Sequence, residues 1–312
     1  MKRKIAIVQS PPVFMNFKRT ISQSCESIRD AKKNAADIVM FPEAYVPGYP
    51  DWMWRLRPGT DHSDSVQLHR LLVENSVNLS SNGLAALLEA AKENDITVAV
   101  GFSEINAESS RTTILNSYAI IGPNGKLLNV HRKLVPTSGE RMVWGRGDAS
   151  GLNVVETEAG RIGGLICWEN YMPLPRYTLY TQGVELYLAP TWDFGDTWIS
   201  TLKHIAKESG CWVAGCATAI QANDIPDSLP GRDKMYADSE EWLNDGDAVL
   251  IRPSGEIAAG PLSREKGILY AEYDLNEVIE GRRSLDVAGH YSRPELFELT
   301  VKKSPVSMVY FA

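Results

Sequence analysis

The chain of 312 residues is 44% hydrophobic and carries a formal net charge of −7, which is enough apolar material to bury a large core. Its acidic and basic residues are interspersed, leaving no extended basic face for a phosphate backbone, so nucleic acid is not an expected partner. No run approaches the roughly 18 consecutive apolar residues of a membrane-spanning helix, and a soluble, cytoplasmic protein with no membrane partner is the expectation.

The start, Met1-Lys-Arg-Lys-Ile-Ala-Ile-Val-Gln9, joins a charged beginning to a short apolar run that soon meets Pro11-Pro12, and it reads as a first strand rather than a signal peptide. Apolar runs over 4–9, 37–41, 96–103, 161–166, 184–189 and 211–217 predict strands. Stretches 17–35, 82–94, 173–182 and 198–209 predict helices, the second capped near Ser80 or Ser81. Such alternation predicts an α/β protein whose helices cover sheet faces. Residues 116–121 and 126–131 flank Gly122-Pro-Asn-Gly125, and 248–253 and 256–259 flank Ser254-Gly255. These hairpins make part of the structure antiparallel. The polar stretch 221–241, with Pro226, Pro230 and Gly231, reads as a surface loop. Without a linker or an internal repeat, residues 1–312 are expected to form one domain.

Three segments carry candidate chemistry. In Ile38-Val-Met-Phe-Pro-Glu-Ala-Tyr-Val-Pro-Gly-Tyr-Pro50, Glu43 follows an apolar strand and precedes a proline-rich turn, where a sheet ends and a pocket can begin. Withdrawn from water among Phe41, Tyr45 and Tyr49, its carboxyl would have a raised pKa, as suits a general base. Taken alone, such a glutamate is more often a solvated loop residue. In His131-Arg-Lys-Leu-Val-Pro-Thr-Ser-Gly-Glu140, Lys133 offers a cation with three donors for developing negative charge. Glu140 is placed to pair with it or to orient a substrate, although either residue alone reads as a surface charge.

In Gly163-Gly-Leu-Ile-Cys-Trp-Glu-Asn-Tyr-Met-Pro173 an apolar strand runs into Cys167 and helix signals resume at Pro173, so the thiol falls on a strand-to-helix turn. That turn can lift a sulfur into a cleft while neighbouring N–H groups form an oxyanion hole. An ordinary thiol is only a few per cent thiolate at pH 7, so a base or a cation beside it is needed. The competing reading is a buried core cysteine, which Cys211 and Cys216 in Cys-Trp-Val-Ala-Gly-Cys illustrate; Cys25 lies in a polar helix pattern. His290, in Gly-His-Tyr-Ser-Arg-Pro294, is the only other base with a distinctive setting and reads as structural. No close Cys or His spacing suggests a metal site. Tyr49, Trp54, Trp144, Trp168 and Trp192 beside these turns suggest an aromatic-lined substrate pocket.

Together these segments resemble the nitrilase superfamily, and in particular its nitrilase branch. The resemblance rests on the order Glu43, Lys133, Cys167 and on the wording around each, and it runs through Glu-Arg-Met-Val-Trp-Gly-Arg-Gly-Asp148 to Gly289-His-Tyr-Ser-Arg-Pro294. One departure is Ala149, where relatives commonly continue with glycine. The resemblance implies an α-β-β-α four-layer sandwich that assembles as a homodimer or larger homo-oligomer. It implies Cys167 as nucleophile, Glu43 as general base, Lys133 as stabiliser of negative charge and Glu140 as a positioning carboxylate. It also implies a small-molecule nitrile and water as reactants, with no metal or cofactor. An amidase or carbamoylase of the same superfamily is the nearest alternative, and a noncatalytic binding protein on the same scaffold is a remoter one.

Overall fold

A computed structural model describes residues 1–57, 59–107 and 110–304. Its strands are β1 (Lys2–Val8), β2 (Ile38–Met40), β3 (Thr97–Ile105), β4 (Ile114–Ile121), β5 (Leu127–Arg132), β6 (Trp144–Gly145), β7 (Val155–Thr157), β8 (Gly160–Gly164), β9 (Leu186–Pro190), β10 (Trp212–Cys216), β11 (Ile220–Gln221), β12 (Trp242–Asn244), β13 (Gly246–Ile251), β14 (Ile257–Ser263) and β15 (Ile268–Asp274). The α-helices are α1 (Phe17–Lys33), α2 (His62–Asn75), α3 (Ala85–Glu93), α4 (Pro173–Tyr180), α5 (Asp196–Ser209), α6 (Arg232–Met235) and α7 (Asn276–Ser284).

Two sheets form the centre, one in the order β15-β1-β2-β3-β4-β5 with β6 beside β4, the other in the order β14-β13-β10-β9-β8-β7. In the first, β1, β2 and β3 are parallel and β4 and β5 continue antiparallel; in the second, β8, β9 and β10 are parallel and β13 and β14 continue antiparallel.

The period-two alternation of strand side chains sorts the residues into layers. Ile5, Ile7, Ile38 and Met40 meet Leu186, Leu188, Trp212 and Ala214 in the core between the sheets. Their chain neighbours Ala6, Val8 and Val39 face the other way, onto Ile21, Ile28 and Ala31 of α1 and Leu87, Ala90 and Ala91 of α3. On the far side, Tyr187, Ala189 and Val213 pack on Leu179 of α4 and Trp198, Leu202, Ile205 and Ala206 of α5. The result is the α-β-β-α order that the resemblance implied. Strands buried on both faces read as continuous apolar runs, which is why their positions are plain in the sequence. The Cys216 sulfur donates to the Val8 carbonyl at 3.0 Å across the sheets.

Three expectations need correction. Segment 221–241 is not a surface loop: Ile225, Leu229, Met235 and Tyr236 are buried against Tyr49, Trp52 and Trp144, and α6 forms within it. The helix expected over 82–94 begins only at Ala85, because Leu79–Ser81 forms its own short turn, capped by Asn78 and closed by Asn82 at φ +58°. The strand expected over 256–259 continues as β14 to Ser263. Among the described residues no helix is long and apolar enough to cross a membrane.

Candidate active site

Glu43 and Cys167 follow the carboxyl ends of parallel strands, β2 in one sheet and β8 in the other, and Lys133 directly follows β5. Strand ends of this kind are where α/β sheets open to ligands. The turn carrying Glu43 lies hard against β3 at Gly101, where a Cβ would come within 2.2 Å of the Pro42 carbonyl oxygen and 2.7 Å of the Ala44 nitrogen. Only a glycine leaves room for that approach.

The Glu43 side chain is buried, and its Oε1 accepts from Asn116 Nδ2 at 2.7 Å and Lys133 Nζ at 2.8 Å. Its Oε2 is buried without a hydrogen-bond partner among the described residues. Burial pushes the Glu43 carboxyl up to about 7, helped by the Glu140 anion and opposed by Lys133 and Asn116. A carboxyl so tuned exchanges a proton near neutrality, and its free oxygen is where it would do so.

Lys133 is fully buried, and Asn116, on β4, serves it too by accepting its backbone N–H at 2.8 Å. Its ammonium donates to Glu43 Oε1 and, at 2.7 Å, to Glu140 Oε2. Burial works against the charge, but the anionic forms of Cys167, Glu43 and Glu140 outweigh it and raise the ammonium's pKa above the ordinary lysine range. Glu140 sits in the short turn Ser138–Met142, where its Oε2 also accepts the Thr137 N–H at 2.7 Å and its Oε1 accepts the Tyr49 hydroxyl at 2.8 Å. Both carboxylates therefore converge on one ammonium, and the pairing expected of Lys133 and Glu140 is present.

Cys167 opens the turn Cys167–Tyr171 with φ +54°, a left-handed conformation uncommon for a residue with a Cβ. The first N–H groups of a helical turn have no partner within it, and Cys167 and Trp168 are the first two residues of this turn. The sulfur, one Glu43 oxygen and one Glu140 oxygen all lie within 4.8 Å of one another. The thiol's pKa lies above its usual range because of burial and then the Glu43 anion, with Lys133 opposing. A resting thiol thus faces a carboxyl able to take its proton, and Lys133 sits where a cation between the two carboxylates would sit.

The aromatic candidates do not form one uniform wall. Tyr49 stacks on Trp192 with centroids 4.2 Å apart and planes 5° from parallel, and meets Trp144 edge-on at 5.5 Å. Trp144 is buried and donates to Ser103 Oγ at 3.2 Å. Trp54 is half exposed and donates to the Tyr49 hydroxyl at 3.3 Å. Trp168 is the most exposed of the set, its indole donating to Asp193 Oδ2 at 2.8 Å. Cys211 and Cys216 are buried in the core, and His290 is exposed against Tyr291. Two buried residues escaped sequence reasoning, Asn116 and Glu169; Asn116 meets Glu43 and Glu169 meets His131 and Leu134 only through the fold, and neither stands at a strand end.

Comparison with known proteins agrees with this architecture. The model of the carbon-nitrogen hydrolase family matches residues 4–283. The chain is 34% identical over 312 residues to Nitrilase 1 of Arabidopsis thaliana, covering 99% of this chain and 89% of that one. It is also 34% identical over 309 residues to the aliphatic nitrilase of Sinorhizobium fredii, covering 99% and 98%. Among solved structures, a carbon-nitrogen hydrolase from Helicobacter pylori G27 has the same fold, with a TM-score of 0.70 at 19% identity over 91% of this chain and 92% of that one. With a match spanning both sheets and all three candidate turns, the chain belongs to the carbon-nitrogen hydrolase family.

Proposed function

We propose that the protein is a nitrilase, converting an organic nitrile and two waters to a carboxylic acid and ammonia. The observation that carries this reading is the buried cluster in which Glu43, with one oxygen free, and Glu140 share the Lys133 ammonium within reach of the Cys167 sulfur. Full-length similarity to nitrilases favours a nitrile over an amide.

In this scheme Cys167 sulfur bonds to the nitrile carbon while its proton passes through Glu43 Oε2 to the nitrile nitrogen, giving a thioimidate. Glu43 then takes a proton from water as its oxygen adds to the same carbon, and the tetrahedral species is stabilised by Lys133. The nitrogen receives that proton and then, through Glu43, the one from the added hydroxyl; the C–N bond breaks, ammonia leaves and a thioester remains on Cys167. A second water, deprotonated in the same way, attacks the thioester and releases the acid, and the thiol regains its proton. Glu140 fixes the ammonium, and no step calls for a cofactor. Tyr49, Trp54, Trp144, Trp168 and Trp192 are assigned to the substrate pocket, and the working form is taken to be a cytoplasmic homodimer or larger homo-oligomer.

Ammonia release across a panel of nitriles and amides tests the reading. Turnover of nitriles that disappears in Cys167→Ala is expected, whereas turnover of amides alone would replace the nitrilase assignment with an amidase.

A further inference from the structure

A third carboxylate, buried beside the cluster but not part of it, links two of its members through the backbone. Glu169 lies two residues after Cys167 and is buried. Its Oε2 accepts the N–H of Ile166, the residue before Cys167, at 2.9 Å. Its Oε1 accepts the N–H of Leu134, the residue after Lys133, at 2.7 Å. His131 Nε2 lies 3.0 Å from Oε2 and 3.2 Å from Oε1, and the imidazole is itself buried. Two strand ends from opposite sheets, β8 and β5, are thus clamped on one side chain.

We propose that Glu169, held by His131, is a positioning residue that sets the distance between the Cys167 sulfur and the Lys133 ammonium; this rests on the nitrilase reading above. The physical reason is the donor count. An ionised carboxylate accepts at both oxygens, so it satisfies Ile166 N–H, Leu134 N–H and the imidazole at once. Glutamine has the same shape but only one accepting oxygen, so its amide NH2 faces one of the two backbone N–H groups. That donor is left buried and unpaired, which is costly, and one of the two turns shifts. Burial alone would disfavour the Glu169 charge, but His131 and the two N–H groups outweigh it and hold the carboxyl below its usual range. Neither Glu169 nor His131 donates to or accepts from Glu43, Lys133 or Glu140 side chains among the described residues, so their influence runs through the backbone.

A displacement of about 1 Å at a reacting group can lower a rate by around 100-fold while leaving ground-state binding little changed. Glu169→Gln is therefore expected to lower kcat by about 10- to 100-fold with KM within threefold of wild type. Backbone hydrogen exchange, read by mass spectrometry, should rise together in the peptides holding Ile166 and Leu134 and not elsewhere. His131→Leu, which removes the imidazole donor, should lower kcat in the same sense. His131→Gln, whose amide nitrogen can donate to the carboxylate, should recover most of it. A kcat within twofold of wild type in Glu169→Gln, or a loss carried wholly by KM, would overturn the proposal. Should Glu169→Gln fail to fold, equal kcat in His131→Leu and His131→Gln would do the same. The wild-type control separates the two readings: if it hydrolyses only amides, the nitrilase assignment fails and the same comparison is made on the amide. If it hydrolyses neither, unchanged exchange at Ile166 and Leu134 in Glu169→Gln counts against the clamp, and a joint rise supports it.

Discussion

A thiol that favours its protonated form in the resting site, a carboxyl that burial brings up to about 7, and an ammonium shared between two glutamates define the chemistry at the scale of residues. With Glu43 as the proposed base, kcat/KM should rise with pH through an apparent pKa near 7, the value to which burial brings its carboxyl. The Glu140 anion contributes to that rise, so Glu140→Gln should move the acid limb to lower pH as well as reduce kcat. A limb that stays or moves upward would remove Glu43 from the role. Lys133→Met keeps length but deletes the charge, so a folded variant should lose at least ~100-fold in kcat, the scale of one oxyanion donor. Lys133→Arg should recover little, since a planar guanidinium places its donors differently. Steady-state ammonia release with circular dichroism decides both. That Glu43, Lys133, Glu140 and Cys167 would come together was legible from the three motifs taken jointly and from the family resemblance, since Lys133 and Glu140 read alone are surface charges. Glu169 was not, since its partners are backbone groups contributed by positions 134 and 166 and an imidazole at 131.

At the scale of elements, the site depends on how closely neighbouring strands approach. Gly101→Ala on β3 would put a Cβ 2.2 Å from the Pro42 carbonyl oxygen and 2.9 Å from Glu43 Cα, closer than non-bonded atoms tolerate, so the Glu43 turn must shift. The variant should lose about 10-fold or more in kcat and unfold at lower temperature; wild-type kcat with wild-type thermal unfolding would mean that the turn is not held by this contact. The strands with both faces buried were readable as apolar runs, and α1 and α5 as amphipathic repeats. Helix α2 was not, because only Leu68 and Leu72 of its residues are buried and they form too short a stripe. Segment 221–241 misled for a related reason: its buried Ile225, Leu229, Met235 and Tyr236 lie among many charges and are interrupted by Pro226, Pro230 and Gly231. Arg55 shows what holds that segment down, pairing with Asp51 at 2.6 Å and Glu241 at 2.8 Å while lying 4.8 Å from the Tyr236 ring centroid.

At the scale of the whole molecule, the two sheets bring together groups that neither carries alone: Glu43, Lys133 and Glu140 come from the first sheet and its connections, Cys167 from the second. The sandwich was legible only through the family resemblance, because composition and periodicity give strands and helices but not their layering. Sedimentation of the active protein should give a mass of at least twice 34.5 kDa; a stable, active monomer would contradict the proposed assembly. The central claim is that Cys167 carries the substrate. Cys167→Ala should fold and lose turnover, while Cys216→Ala, whose sulfur lies between the sheets, should keep much of it at some cost in stability. The most direct measurement is rapid acid quenching of the wild-type protein with a hydrolysed nitrile, followed by peptide mass analysis. The account predicts a thioester or thioimidate adduct on the Cys167 peptide that is absent from Cys167→Ala; an adduct on Cys216 or Cys211, or nitrile turnover persisting in Cys167→Ala, would contradict it.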